Sequence, residues 1–160
     1  MKKLALLMMM AVISLGTMAQ TKEGDSSFGL TIGGGFDSIN HFTIGIDYRY
    51  NFTDEIRFTP SITHFVKNDH LSAWAIDLNA QYVFPITDEF SFYPLAGFDL
   101  SFWRTSAAGW SKTFNRFGGN IGLGGEFYAT KEISLGFEVK YLILKDFSQP
   151  MIGMRVGYRF

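Results

Sequence analysis

The sequence contains no cysteine. That excludes disulfides, thiolate nucleophiles and cysteine-based metal centres, but not export, because an exported chain need not carry bridges. Nor is there a surplus of positive charge: 14 Lys and Arg stand against 15 Asp and Glu, a formal net charge of -1. Without a basic excess to neutralise phosphates, nucleic acid is not expected as a partner. Charged residues are scarce overall, at 18%, against roughly 25% in an average soluble protein. Also missing beyond residue 19 is any apolar run near the ~20 residues a membrane-spanning helix needs. If a membrane holds this chain, strands must do it.

Hydrophobic and aromatic residues are abundant, at 47% and 17%, with 17 Phe and 17 Gly in 160 residues. This length suits one domain. At the start, Lys2 and Lys3 precede an apolar run from Leu4 to Leu15, and small side chains at Thr17 and Ala19 sit just ahead of Gln20. That pattern reads as a secretory signal cleaved after Ala19. The run is too short for a retained anchor, and no cysteine follows it for lipidation.

From Phe28 onward the dominant period is two, the mark of strands with two unlike faces. In 42–52, Phe42, Ile44, Ile46, Tyr48, Tyr50 and Phe52 share one face, with Thr43, Gly45, Asp47, Arg49 and Asn51 on the other. The same alternation predicts strands at 74–84, 117–127, 133–141 and 152–160, and 28–36, 56–66 and 90–103 bring the number to eight. Three short, similar turns, Thr53-Asp54-Glu55, Thr87-Asp88-Glu89 and Thr130-Lys131-Glu132, alternate with longer, more variable loops at 37–41, 67–72, 104–115 and 145–150. Short turns at one end and longer loops at the other is the asymmetry of an outer-membrane barrel. Pro60 and Pro94 fall inside predicted strands, where a missing N–H has no free edge to hide on, so bulges are expected at both.

Size and charge decide which face points inward. An eight-stranded barrel is only wide enough for its interior to be filled by side chains, so the large aromatic and aliphatic set must face out. The other set is mostly Gly, Ser, Thr and Asn. Its charges nearly balance, with Arg49, Arg57, Lys140, Arg155 and Arg159 against Asp47, Asp77, Asp99, Glu126 and Glu138, which predicts a lumenal ion-pair network. The inward glycines Gly29, Gly33 and Gly35 leave room for long neighbours such as Arg49 and Arg155. Outward aromatics near the strand ends, Tyr48, Tyr50, Phe52, Phe84, Phe90, Phe127 and Tyr158 at one end and Trp74 and Phe102 at the other, are expected to form two interfacial girdles. The fold class expected is all-β, an eight-stranded antiparallel up-and-down transmembrane β-barrel. Its organisation would be signal peptide 1–19, a short periplasmic segment 20–27 and a barrel domain 28–160, with both termini periplasmic.

These features together resemble the small OmpA-type outer-membrane β-barrel proteins of Gram-negative cell envelopes, in their single-domain form. The resemblance rests on the signal segment, the eight alternating segments, the repeated Thr-x-Glu turns and the ending Met154-Arg155-Val156-Gly157-Tyr158-Arg159-Phe160. It implies that Tyr158 and Phe160 form the signal read by the barrel-assembly machinery, and that outer-membrane lipid and lipopolysaccharide surround the barrel. It departs from full-length OmpA in having no peptidoglycan-binding domain after the barrel, so tethering to the cell wall is not implied.

Some eight-stranded barrels are lipid A deacylases or palmitoyltransferases, which need a nucleophile, base and acid on one surface. No such set is legible. His64 is predicted on the lipid-facing side, near Trp74, while Ser61 and Thr63 point the other way; His41 and His70 fall on separate loops. No catalytic, cofactor or metal site is expected. The inward carboxylates each have a cation on the same or a neighbouring strand, and Gly33-Gly34-Gly35 and Gly122-Leu123-Gly124-Gly125 lie within strands and precede no helix, unlike a phosphate loop. The third long loop, with Trp103, Arg104, Trp110, Lys112, Phe114 and Arg116, is the candidate contact surface for an extracellular or host ligand. The expected function is a non-enzymatic barrel with a plugged polar lumen, serving envelope integrity or adhesion through its loops. The rivals are a lipid A modifying enzyme and a narrow ion-conducting pore.

Overall fold

The computed structural model describes residues 21–36, 40–68, 71–107, 110–145 and 148–160. The predicted signal segment 1–19, His70 and parts of the four predicted long loops lie outside the described residues. The chain forms β1 (Ser26–Gly35), β2 (His41–Asn51), β3 (Ile56–Asn68), β4 (Leu71–Tyr82), β5 (Phe84–Pro85), β6 (Phe90–Ala107), β7 (Trp110–Tyr128), β8 (Ile133–Ile143) and β9 (Gln149–Arg159). Apart from β4 and β5, each strand is antiparallel to its sequence neighbours, β1 also pairs with β9, and β4 pairs with β6, so the sheet closes on itself. Strand β5 continues β4 after Val83 and keeps its register against β6, so nine segments make eight staves.

The prolines act differently from the bulges the sequence suggests. Pro94 lies where the β4–β6 ladder would meet Tyr82; the ladder stops at Gln81↔Leu95 and resumes at Phe84↔Phe92 in the same register. Pro60 lies in a similar gap between Asp47↔Ser61 and Tyr50↔Phe58, again with no slip. A proline removes one N–H donor, so a ladder can lose a rung while its register is held by the bonds on either side. The one register shift among the described pairings falls between Phe65 and Asn68, at the mouth of the β3–β4 loop.

The three short turns have one chemistry. In each, the Thr hydroxyl accepts from the backbone N–H groups two and three residues on: Thr53 from Glu55 and Ile56, Thr87 from Glu89 and Phe90, Thr130 from Glu132 and Ile133, at 2.9–3.3 Å. A side chain that caps its own turn closes a hairpin without a long loop. The N-terminal segment folds onto this end, with Glu23 N–H donating to Asp54 Oδ1 at 2.8 Å.

Alternation sorts the side chains. Phe28, Leu30, Ile32, Ile44, Ile46, Ile76, Leu78, Phe98, Phe117, Ile121, Val139, Ile152 and Val156 are exposed on the outer wall, while Asp47, Arg49, Arg57, Asp77, Asp99, Glu126 and Arg155 are buried within. A wall this apolar around a polar, close-packed interior is the inverse of a water-soluble barrel and matches a bilayer. Aromatic contacts mark the short-turn end: Tyr50 with Phe52 at 5.0 Å, Tyr82 with Phe84 at 4.7 Å and Phe28 with Tyr48 at 5.2 Å. Trp74 projects outward, 54% exposed, and Trp103 inward, 1% exposed. In refolded single-tryptophan variants, brominated lipids are expected to quench Trp74 strongly and Trp103 little; equal quenching would contradict the inside–outside assignment.

Candidate functional site

The lumen is layered, and each layer follows from which strands place long side chains opposite small ones. At the short-turn rim Arg159 leaves the network predicted for it: Nη1 pairs with Asp25 at 3.3 Å and Nε donates to the Lys131 carbonyl at 2.8 Å. Arg159 is the last residue of β9, so its side chain reaches the barrel mouth rather than the interior.

Above the rim lies a buried ionic cluster centred on Glu126 of β7. Its Oε2 pairs with Arg57 Nη1 at 2.6 Å and Arg49 Nη1 at 3.1 Å, and its Oε1 with Arg155 Nη1 at 3.3 Å. Ser134 donates to Oε1 at 2.8 Å. Asp47 takes the rest of Arg155, with Nη2 at 2.8 Å and Nε at 2.9 Å. Arg57 also donates through Nε to Gln81 Oε1 at 2.7 Å. Glu138 turns to Arg49, at 3.8 Å, and to the Tyr93 hydroxyl, at 3.3 Å, rather than to Arg155 or Arg159. The Tyr93 ring lies against both Arg49 and Arg57, 5.2 and 4.8 Å from its centroid, so the cations meet a π face as well as carboxylates.

Glycine makes the room. Gly29 faces the Arg155 guanidinium and Gly124 faces the Tyr93 ring; a Cβ at either would occupy the space of those groups. Gly124 stands directly opposite Tyr93 in the β6–β7 ladder. Tyr93 is one of several large inward residues that the polar pattern of the other strands concealed.

One level higher, Asp77 accepts from Lys140 Nζ at 2.9 Å, Asn120 Nδ2 at 2.9 Å and Ser61 Oγ at 3.2 Å. Asp99 of the same level makes no well-formed hydrogen bond, with the Ser101 hydroxyl and the Asp77 carboxyl its polar neighbours. Toward the long-loop end the lumen turns apolar: Phe65, Ala73, Ala75, Trp103, Leu142, Leu144 and Met151 form one buried cluster. The rings of Phe65 and His41 lie 5.3 and 5.9 Å from that of Trp103, and Trp103 Nε1 donates to Ser101 Oγ at 2.9 Å. Trp103 is therefore a plug residue and not the exposed loop contact expected of it. Trp103 is the last residue of the predicted strand 90–103, and the alternation of β6, which runs on to Ala107, turns the indole inward, where its N–H finds a partner.

The predicted third loop is itself mostly strand, with β6 and β7 paired as far as Ala107↔Trp110. Arg104 is exposed on it. Arg116 stands opposite Ser101, its Nη1 donating to the Asn115 carbonyl at 3.2 Å. The side chains of Trp110, Lys112 and Phe114 lie outside the described part. His64 stacks on Trp74, centroids 4.4 Å apart, and its Nδ1 lies 3.1 Å from the Ala73 carbonyl. Among the described residues no three His, Asp or Glu side chains converge as a metal site. A polar lumen cavity of about 60 Å³ beside Asp47, Lys140 and Arg155 has room for a few waters.

A closed, eight-stave antiparallel barrel, apolar outside and filled with polar and aromatic side chains, defines the class: a small transmembrane β-barrel. The chain belongs to the outer membrane protein beta-barrel domain family, which it matches over residues 5–160. Solved structures share the fold. The N-terminal barrel domain of Pseudomonas aeruginosa OprF is 18% identical, with a TM-score of 0.74, covering 88% of this chain and all of that one. Neisserial surface protein A (NspA) is 17% identical, TM-score 0.68, covering 85% and 96%. The attachment invasion locus protein Ail of Yersinia pestis, in its complex with the heparin analogue sucrose octasulfate, is 21% identical, TM-score 0.66, covering 86% and 99%. No curated protein matches the chain.

Proposed function

We propose that this barrel is a non-enzymatic surface protein that holds an anionic polymer, such as a sulfated glycan, on its β6–β7 hairpin. The observation that carries the reading is the shape and charge of that hairpin. β6 and β7, at 18 and 19 residues, are the longest strands. They stay paired beyond Gly119, where β8 ends at Ile143. Between Asp99 and Glu126 the only charged residues are Arg104, Lys112 and Arg116, so the projecting part is cationic and carries no acid. Ail, of the same fold, has been crystallised with a heparin analogue, which supports the polyanion as the ligand class. In this reading the signal segment 1–19 is removed, the short Thr-capped turns and both termini face the periplasm, and the hairpin faces outward. Outer-membrane lipid and lipopolysaccharide surround the wall, and Tyr158 and Phe160 serve the barrel-assembly machinery.

No observation favours a rival. His64 is held between Trp74 and a backbone carbonyl, and the lumen that a pore would need open is crossed by the Glu126 cluster and the Trp103 plug. The test is retention on immobilised heparin. The wild-type barrel in micelles is expected to bind and to elute with salt, as a phosphate- or sulfate-type contact does, and Arg104→Glu with Lys112→Glu to pass through unretained. Equal retention of both proteins would remove the hairpin from the function.

A further inference from the structure

The buried lumenal acids are paired with cations except at one level. Asp77 of β4 and Asp99 of β6 stand directly opposite each other in the β4–β6 ladder, where facing Cα atoms are about 4.5–5.5 Å apart, and each is 1% exposed. Asp77 is satisfied by Lys140, Asn120 and Ser61. Both Asp99 oxygens are buried without a hydrogen-bond partner, and so are the side-chain oxygens of Asn120 and of Asn79, the next inward residue on β4. The Thr59 hydroxyl, opposite Asn79 on β3, is also without a partner and can donate as well as accept. Among the described residues two carboxyls face a single ammonium, that of Lys140, and the Ser101 hydroxyl lies beside Asp99. Glu138, two residues before it on β8, is turned to Arg49 and Tyr93, and Arg116 of β7 donates to the Asn115 carbonyl.

The level is built around a glycine. Gly97 of β6 lies opposite both Asn79 and Asn120, and its missing side chain lets Asn120 reach across β6 to Asp77; a Cβ there would collide with the Leu78 carbonyl and the Asn79 side chain. Like charges in direct cross-strand opposition repel, and a buried charge is neutralised or paired rather than left bare. We propose that the Asp77–Asp99 pair is a lumenal binding site for one monovalent cation, a proton or an alkali-metal ion, held between the two carboxyls. Hard oxygen donors without imidazole or thiolate suit such an ion and not a transition metal.

The test compares wild type with Asp99→Asn, which keeps the shape and removes the charge, by urea unfolding of the refolded barrel in micelles. One series replaces choline chloride with NaCl or KCl at constant ionic strength; the other varies pH at constant salt. The readout is the difference between the two proteins, because Asp47, Glu126 and Glu138 titrate in both. Wild type is expected to gain on the variant, by about tenfold in the unfolding constant, in one series. A gain with alkali-metal ions at fixed pH assigns a metal ion; a gain on acidification alone assigns a proton. A difference that stays constant through both series overturns the site. If the variant does not fold, the wild type alone decides: neither a carboxylic-acid carbonyl band in the infrared nor ²³Na line broadening by the folded barrel would equally overturn it.

Discussion

Glu126→Ala is expected to destabilise the barrel by roughly 3–5 kcal/mol, the usual result of removing one partner from a buried ion pair. Glu126 is the shared acceptor of Arg57, Arg49 and Arg155, with contacts of 2.6–3.3 Å, and all four side chains are almost wholly enclosed. Truncation leaves three guanidinium groups around an empty position, with Asp47 and Glu138 the nearest carboxylates remaining to them. The loss follows from the stranded cations rather than from the worth of the pairs, so two variants separate the causes. Glu126→Gln keeps the acceptor oxygen and the packing and is expected to fall between wild type and Glu126→Ala; Glu126→Ala combined with Arg57→Met is expected to recover part of the loss. Urea midpoints and the temperature at which the compact gel band disappears measure all three. An alanine variant as stable as wild type would show that the cluster is solvated and contributes little.

Trp103→Ala is expected to cost about 3–5 kcal/mol, the range for deleting a large buried aromatic. The indole packs among Phe65, Leu142, Leu144 and Met151 and donates to Ser101, so truncation loses apolar contact and strands a hydroxyl partner together. In planar bilayers this variant is expected to remain non-conducting, because the Glu126 layer still crosses the lumen nearer the short-turn end. Stable channel openings in Trp103→Ala would make the aromatic plug the sole seal. A loss under about 1 kcal/mol would place the indole outside the packed lumen.

Much of this architecture is legible in the amino-acid sequence, and unevenly so. The outward faces of β2, β4, β8 and β9 were readable because side chains alternate with period two, and on β2 no apolar residue interrupts the polar side. The Thr-x-Glu turns were readable because their bonding is local, from a hydroxyl to N–H groups two and three residues on. The prolines misled: a residue that cannot donate suggests a bulge, yet each ladder skipped two paired positions and kept register. Trp103 misled because it stands at the end of the predicted strand 90–103 and counts with the loop beyond it, while its orientation depended on how far β6 and β7 stay paired.

Readable along the chain are the alternation, an apolar set too large to fit inside eight staves, and short turns at one end with longer loops at the other. Each of these depends on neighbours within a few residues or on total volume. Which charges meet depends on the closed barrel. Arg49 and Arg57 reach Glu126 from the far side of the lumen, and Asp99 faces Asp77 while Lys140 bonds Asp77 alone. Such contacts depend on how side chains from separate strands cross a closed lumen, which alternation along any single strand does not encode.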